Sequence, residues 1–280
     1  MKMGSLARCA AAGVMMCACA ESGLAQQAIF TPAPTMPSAE RITTRTLFSF
    51  EKFGSDPTDA RRDGHELRFD HEFVLGLTGD LSVGLNVPVR VRSVRASDGD
   101  DRSMGLGDAE LTLKHRVWQD DFGPVDTARL SLFAGTTLPT GNNGFGKDTL
   151  DPFIGATFML IHGRHGFNQS VSWTFTTGTA DDRVFAGDGL SDVLKLDSAY
   201  LYRLSPDEYT AETTASTYAV LELNTIYETD GETQMFISPG ILYEARRFAL
   251  EAGVRIPVWQ DLDRRPESRY GVTFGVRFLF

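Results

Sequence analysis

The feature that most constrains the fold is a period of two in hydrophobicity, repeated along the chain from about residue 44. In the last run, apolar residues between Tyr270 and Phe280 alternate with small or polar ones such as Thr273 and Arg277. This alternation predicts β-strands with one apolar and one polar face. Twelve such runs occur, most of them ten to thirteen residues long. They cover residues 44–53, 65–77, 81–92, 106–118, 128–138, 153–162, 167–177, 193–204, 213–227, 233–244, 248–258 and 269–280.

The length of these runs indicates a membrane. Strands of soluble proteins usually have about five or six residues, whereas a tilted strand needs about 9 to 11 residues to cross an outer membrane. Connections after even-numbered runs are mostly short, and those after odd-numbered runs are mostly longer and polar, as in outer-membrane barrels. We therefore predict an all-β protein in which residues 44–280 form a single closed, antiparallel, up-and-down transmembrane β-barrel of about 12 strands.

Composition narrows the alternatives. The 280 residues are 42% hydrophobic and carry a formal net charge of -10. Nucleic acid is not an expected partner, because this charge repels phosphate. A helical membrane protein needs runs of about 20 apolar residues, and the longest candidate, residues 10–20, is too short.

The first 25 residues have the pattern of a secretory signal peptide. Lys2 and Arg8 precede a moderately apolar stretch that contains all three cysteines. Small residues favour cleavage after Ala25, with Ala20 as a second site. We therefore expect an exported, cysteine-free chain in the cell outer membrane.

Residues 26–43 precede the first predicted strand and contain Pro32, Pro34 and Pro37. We predict an extended periplasmic lead, and the sequence leaves open whether it enters the barrel as a plug. The N- and C-termini are both expected in the periplasm.

The last strand carries an aromatic row. Tyr270, Phe274, Phe278 and Phe280 stand at even spacing at the end of the chain. This pattern resembles the C-terminal signal by which the β-barrel assembly machinery recognises outer-membrane barrels. An ordinary edge strand of an exported β-sandwich is the alternative, although such an exposed aromatic edge favours aggregation.

Charged residues occupy many positions on the predicted inner face, where they must meet water or each other. The candidates for a lumen constriction are Arg68, Asp70, Glu72, Arg90, Arg92, Asp108, Glu110, Arg116, Glu251, Arg255 and Arg277. Twelve strands lie between small barrels with filled interiors and large ones with open channels. The sequence leaves both a narrow pore and a lumen closed by ion pairs possible.

Enzymatic and metal-binding functions have weaker support. Some outer-membrane barrels hydrolyse lipid with a Ser and a His on their outer surface, but no His-x-Ser pair or Gly-x-Ser-x-Gly motif occurs. Acidic loop residues at 98–101 and 181–192 include no twelve-residue calcium loop. We therefore predict no catalytic residue, no metal site and no cofactor.

Three strands share a glycine and a proline four residues apart. The pairs are Gly84 with Pro88, Gly135 with Pro139, and Gly253 with Pro257. Because proline removes a ladder donor and is confined to bulges, edges and strand ends, we expect these prolines where strands bend in the outer half of the barrel.

Residues 83–88, 105–109 and 138–142 carry a family resemblance. Their sequences, VGLNVP, GLGDA and LPTGN, resemble the MetA-pathway phenol-degradation family of outer-membrane proteins. The resemblance implies a β-barrel that passes small, often aromatic, compounds into the cell, and it brings no binding residues.

We therefore predict a monomeric outer-membrane channel for small molecules with a charged lumen, and the resemblance implies hydrophobic or aromatic compounds as its solutes. The alternatives are a barrel enzyme that acts on lipid and a closed structural barrel. The expected partners are outer-membrane lipid and lipopolysaccharide, the assembly machinery and a small-molecule solute.

Overall fold

The structure is a computed structural model that describes residues 26–180, 183–210 and 212–280. The predicted signal peptide and both of its cleavage sites lie outside these residues, as do Asp181 and Asp182 of one acidic loop.

Thirteen strands form one antiparallel sheet. They are β1 (Ile42–Gly54), β2 (Asp63–Gly76), β3 (Leu81–Ala96), β4 (Gly99–Leu106), β5 (Ala109–Asp121), β6 (Thr127–Leu138), β7 (Pro152–His162), β8 (His165–Thr174), β9 (Val193–Ser205), β10 (Ala215–Glu228), β11 (Thr233–Ala245), β12 (Phe248–Asp261) and β13 (Glu267–Leu279).

The sheet closes on itself because β1 pairs with both β2 and β13. The strands β4 and β5 are two halves of one crossing: β3 pairs with β4 over residues 89–96 and with β5 over residues 81–86. The break falls at Gly107 and Asp108, opposite Pro88. The barrel therefore has twelve crossings, which confirms the predicted closed, antiparallel all-β fold.

The two ends of the barrel differ, and we name them by their connections. The turn end carries the short connections 77–80, 163–164 and 246–247, together with the start of β1 and the end of β13. The loop end carries the longer loops, of which 139–151 and 175–192 are the largest.

One predicted loop, residues 93–105, is largely β-structure. The hairpin of β3 and β4 continues to Ala96 and Gly99, with Arg95 opposite Asp100. Polar residues occupy this extension, so it lacks the hydrophobic alternation by which the other strands were predicted.

The prolines lie where the ladders are irregular. Pro88 faces the break between β4 and β5, and its carbonyl accepts a hydrogen bond from Gly107 N at 2.9 Å. Pro257 lies beside a register shift on β11, and Pro139 follows the last residue of β6. These positions agree with the expected sites of bending.

The outer face of the barrel is apolar. Large hydrophobic side chains such as Phe48, Leu113, Ile154 and Val272 are exposed on successive strands. Exposing such continuous apolar surface to water is unfavourable by about 25 cal/mol per Å², so this face suits a lipid environment. Among the described residues, no helix has the length and apolar character needed to cross a membrane.

Candidate functional site: the barrel lumen

The N-terminal segment lies inside the barrel. Residues 26–37, which we name the inner segment, rise from the turn end to mid-lumen and return. Ala28 packs among buried residues of β9, β10 and β11, including Leu201 and Leu242. The sequence analysis describes this stretch as a periplasmic lead and leaves its entrance into the barrel open; the structure places it in the lumen.

Glu222 on β10 holds the top of the inner segment. Its Oε1 accepts hydrogen bonds from the main-chain N–H groups of Ile29 at 2.8 Å and Phe30 at 3.0 Å. Its Oε2 accepts from Thr31 N at 2.6 Å and Thr31 Oγ1 at 2.7 Å. Hydrogen bonds to a charged acceptor are stronger than neutral ones, so this buried carboxylate is the main polar anchor of the segment.

Main-chain carbonyls of the inner segment face donors on five other strands, including β6, where Ser131 Oγ donates to Pro34 O at 3.3 Å. Arg45 Nη2 donates to Ile29 O at 2.6 Å, Thr157 Oγ1 to Pro32 O at 2.7 Å, and Lys114 Nζ to Ala33 O at 2.9 Å. Asn168 Nδ2 donates to Gln26 O at 3.2 Å. These bonds satisfy a buried, non-helical backbone, and the prolines reduce the number of N–H groups that need acceptors.

An ion network lies beside the inner segment. Glu251 on β12 accepts from Arg45 Nε at 2.6 Å and from Arg277 Nη2 at 3.1 Å. The Glu251 side chain has no exposed surface, and that of Arg277 is only 3% exposed. An unpaired charge at such a site would be costly, so this network fixes β1, β12 and β13 around the segment.

A cavity of about 390 Å³ lies between the inner segment and the loop end. Ile29 and Phe30 form part of its floor. The charged groups in its wall are Arg45, Glu51, Arg68, Asp70, Glu72, Glu110, Lys195, Asp197 and Arg255.

Some of the charges in this cavity are paired. Arg68 Nε lies 2.7 Å from Asp70 Oδ2, and Arg255 Nη1 lies 3.8 Å from Glu51 Oε2. Within the described part of the chain, Glu72, Glu110 and Lys195 have no ion-pair partner, and Lys195 is exposed to the lumen. These three groups are therefore available to a solute.

Toward the loop end, a second space of about 160 Å³ is lined by Phe185 and Ala186 of the 175–192 loop. The neighbouring Val184 is buried with Phe53 and Val94. Residues 184–186 of this loop therefore fold over the mouth of the lumen at the loop end.

Arg92 links the wall to these loops. Its Nε lies 2.7 Å from Glu66 Oε2, and its guanidinium stacks over Phe145 and Phe185 at 5.1 and 5.4 Å from the ring centroids. Arg90 lies 3.7 Å from the other oxygen of the same carboxylate.

The structure distributes the predicted lumen residues over several levels. The cavity brings together Arg68, Asp70, Glu72, Glu110 and Arg255, while Arg90 and Arg92 lie nearer the loop end and Glu251 and Arg277 lie beside the inner segment.

Asp108 and Arg116 are not brought to the cavity. The Asp108 carboxylate accepts hydrogen bonds from Gly141 N and Lys147 N, both at 2.9 Å, and so holds the 139–151 loop. Arg116 binds Asp80 Oδ1 at 2.7 Å at the turn end. Both residues lie near an end of the barrel. The alternation within a strand predicts which side of the sheet a residue faces, but it does not predict the residue's depth along the lumen.

Arg45, Glu66 and Glu222 are not among the predicted constriction residues. Arg45 lies among threonines in β1, where the alternation is weak. Glu222 stands between two leucines, a pattern that places it in the lumen but does not indicate its role. That role depends on the inner segment, which sequence periodicity does not position.

The aromatic residues of the predicted assembly signal face outward. Tyr270, Phe274, Phe278 and Phe280 are all exposed, and the rings of Phe278 and Phe280 lie 6.3 Å apart. Their recognition by the assembly machinery stays a prediction.

One outward pair bears on the enzyme alternative. Thr46 Oγ1 lies 2.6 Å from His71 Nδ1 on the outer surface. Among the described residues, His71 has no further hydrogen-bond partner and contacts only the ring of Phe73, so the acidic orienting group of a catalytic triad is missing. The same residues contain no group of three or more His, Cys, Asp or Glu side chains that could hold a metal ion.

Comparison with solved structures identifies the architecture. The chain has the fold of outer-membrane β-barrels. An outer membrane channel from Pseudomonas putida F1 matches with a TM-score of 0.57 and 13% identity, over 91% of this chain and 100% of that chain. The β domain of the Bordetella autotransporter BrkA matches with a TM-score of 0.51 and 12% identity, over 87% of this chain and 100% of that chain.

No protein-family model matches the sequence, and a search of curated proteins gives no match. The similarity to solved structures therefore defines the fold, and membership of the MetA-pathway family stays a prediction.

Proposed function

We propose that the protein is an outer-membrane channel that passes small molecules through its lumen. The observation that carries the proposal is a closed barrel with an apolar outer face and a charged internal cavity of about 390 Å³. Lys195 and Glu72 line this cavity without an ion pair among the described residues, and charged groups of this kind require water or a solute around them.

In this proposal the turn end faces the periplasm. Short turns typify the periplasmic side of outer-membrane barrels, and longer loops typify the outer side. The inner segment would then fill the periplasmic half of the lumen, and the 139–151 and 175–192 loops would cover the outer mouth. We propose a monomer, since one chain closes the barrel.

The charges of the cavity favour cations. Arg45 pairs with Glu251, and apart from it three basic groups and five carboxylates line the wall. A narrow lumen with an excess of one sign concentrates ions of the other sign. We therefore propose a preference for cations over anions.

The solute class follows from the mixed wall. Apolar side chains of Ile29, Phe30, Leu47 and Ile226 lie among the charged groups. A small molecule with an apolar or aromatic body and a polar group matches such a lining. The aromatic part of this proposal rests on the family resemblance.

Planar-bilayer recording of the purified, folded protein tests the channel function. We expect single-channel currents and a reversal potential that favours K⁺ over Cl⁻ in a salt gradient. Uptake of candidate aromatic solutes into proteoliposomes tests the solute class. A heat-modifiable, fully folded barrel that neither conducts ions nor admits solutes would favour a closed structural barrel.

A lipase assay on the same preparation tests the enzyme alternative, since the described outward residues include two His–hydroxyl contacts of 2.6 Å, His71 with Thr46 and His165 with Tyr200. We expect no ester hydrolysis in detergent micelles.

A further inference from the structure

A groove of about 200 Å³ lies on the outer wall of the barrel, near the loop end. It is lined by His65 and Leu67 of β2, Val91 and Ser93 of β3, and Arg102 of β4. The groove is outside the lumen and shares no residue with the cavity described above.

The strand register arranges these residues in two rows. His65 lies opposite Ser93, and Ser93 lies opposite Arg102, so the three form a polar row. One step toward the turn end, Leu67, Val91 and Met104 form an apolar row in the same way. The boundary between the apolar and polar surface of the barrel therefore runs through the groove.

The polar row carries excess positive charge. Arg102 is exposed and makes no ion pair or hydrogen bond with the residues that the structure describes. Lys52 lies opposite His65 in the strand register. Its Nζ is 2.6 Å from Asp63 Oδ1, and Arg269 Nη2 is 3.6 Å from the other oxygen of the same carboxylate. Arg102 is therefore free to bind an anion. Lys52 lies in the same polar row but three strands away, about 14 Å at 4.8 Å per strand, so it adds only a weaker, long-range attraction.

Aromatic rings mark the same level as an interface. The ring of His65 stacks on Phe50 at 5.6 Å, and Phe50 lies 6.0 Å from the ring of Tyr270. Aromatic girdles at the edges of the apolar band are typical of barrels at the lipid–water boundary. Phosphate groups of outer-leaflet lipids lie at this depth.

We propose that this groove binds a phosphorylated glycolipid of the outer leaflet, the lipid A part of lipopolysaccharide. Arg102 binds a phosphate of the head group, Lys52 contributes a long-range attraction from the far end of the polar row, and Leu67, Val91 and Met104 contact an acyl chain. Guanidinium groups suit phosphate because they donate parallel hydrogen bonds. The site rests on the proposed outer-membrane location and orientation, but it does not depend on conduction through the lumen.

Binding of diphosphorylated lipid A to the detergent-solubilised, folded protein tests the proposal, with native mass spectrometry as the readout. Arg102→Gln should weaken binding about tenfold, since a hydrogen bond to a charged group contributes about 1.5 to 3 kcal/mol and each 1.4 kcal/mol is tenfold. The double variant with Lys52→Gln should bind more weakly still. Arg247→Gln, at a turn-end connection, is the matched control and should bind like the wild type.

Further measurements distinguish which molecule supplies the phosphate, and they separate this proposal from the proposed channel function. We expect dephosphorylated lipid A, inorganic phosphate and phosphatidylglycerol each to bind at least tenfold more weakly than diphosphorylated lipid A. Equal binding of the double variant, or equal binding of dephosphorylated lipid A, would overturn the site; equal binding of phosphatidylglycerol would overturn its specificity for the glycolipid. Because the variants lie outside the lumen, their bilayer conductance should equal that of the wild type, and heat modifiability should confirm that they fold.

Discussion

At the scale of single residues, Glu222 has the largest structural consequence. It is one carboxylate in the middle of β10, yet it satisfies three consecutive main-chain N–H groups and a hydroxyl of the inner segment. An acidic side chain inside a barrel is unremarkable in sequence. Its function as an anchor exists only because residues 29–31 reach it.

Glu222→Gln should loosen the inner segment. The amide keeps the size of the side chain but loses the charge and one acceptor, and each charge-assisted hydrogen bond contributes about 1.5 to 3 kcal/mol. We expect the docked population to fall about tenfold or more, with larger or more frequent openings in bilayer recordings. Asp126→Asn is the matched control, because Asp126 accepts from Gly163 N at the turn end, not from the inner segment, and does not line the cavity. If both variants open equally often, the hypothesis that Glu222 anchors the inner segment is wrong.

A second single-residue prediction concerns the loop end, where Arg62 joins three loops. It donates to Asp56 at 2.6 Å and to the carbonyls of Arg183 and Arg264 at 2.7 and 3.1 Å. Burial raises the pKa of the Asp56 carboxyl, but hydrogen bonds from Arg62 and Thr58 outweigh it and hold this pKa below its ordinary value.

A depressed pKa fixes the sign of the pH effect. The contribution of Asp56 is complete above the ordinary carboxyl pKa of about 3.9 and is lost as the pH falls through the lower folded value. The protection factors of amides 56–62 in hydrogen exchange, which remove the intrinsic pH dependence of the exchange rate, should therefore be equal at pH 7 and pH 5 and should fall in stronger acid. Asp56→Asn should exchange fast throughout; a wild-type loop that opens between pH 7 and pH 5 would contradict the assignment.

At the scale of elements, β6 and β7 interlock through glycine. Gly155 lies opposite Phe133, and Gly135 lies opposite Phe153, so each ring covers a glycine on the neighbouring strand. A Cβ at Gly155 would lie 2.3 Å from Phe133 Cζ and 2.5 Å from Val171 O. This close approach explains why large aromatic residues can face inward on two adjacent strands.

Gly155→Ala should destabilise the barrel by about 1 to 3 kcal/mol, the usual cost of overpacking. The measurement is the midpoint of heat- or denaturant-induced unfolding, followed by gel mobility. Gly79→Ala is the matched control, because a Cβ at that turn position meets no atom within 4 Å. Equal midpoints for the two variants would show that the rings move aside without cost.

Element by element, the sequence predicted the strands well. All twelve predicted runs overlap an observed strand, and the run at 153–162 corresponds to β7. The missed parts, residues 93–105 and the break at Gly107, lie in the longest hairpin. Their pairing follows from continued main-chain hydrogen bonding beyond the apolar band, which leaves no periodic signal in the side chains.

At the scale of the whole molecule, the lumen has separate levels of charge. Beside the inner segment, the bases Arg45, Lys114 and Arg277 lie among the carboxylates Glu222, Glu244 and Glu251. In the cavity the carboxylates are in excess. Ion selectivity should therefore be set in the cavity.

Replacing Glu72 and Glu110 together with glutamine should reduce the preference for cations, because it removes two of the three cavity carboxylates, Asp197 being the third, that have no described ion pair. Lys195→Gln should increase that preference. Reversal potentials in a KCl gradient measure both effects. Asp80→Asn at the turn end is the control, and variants that all keep the wild-type potential would place the selectivity elsewhere.

The sequence predicted the closed barrel, the number of crossings and, for most strands, which side faces the lumen; in β1 and β7 the alternation was too weak to predict the side. The physical reason is local. Successive side chains of a strand point to opposite faces of the sheet, so apolar residues on the lipid side alternate in sequence with polar residues on the lumen side. Depth along the lumen, the partners of each charge and the location of residues 26–37 depend on contacts between distant parts of the chain. Only the tertiary structure decided these, because the acceptors and donors that hold the inner segment come from β1, β5, β7, β8 and β10 at once.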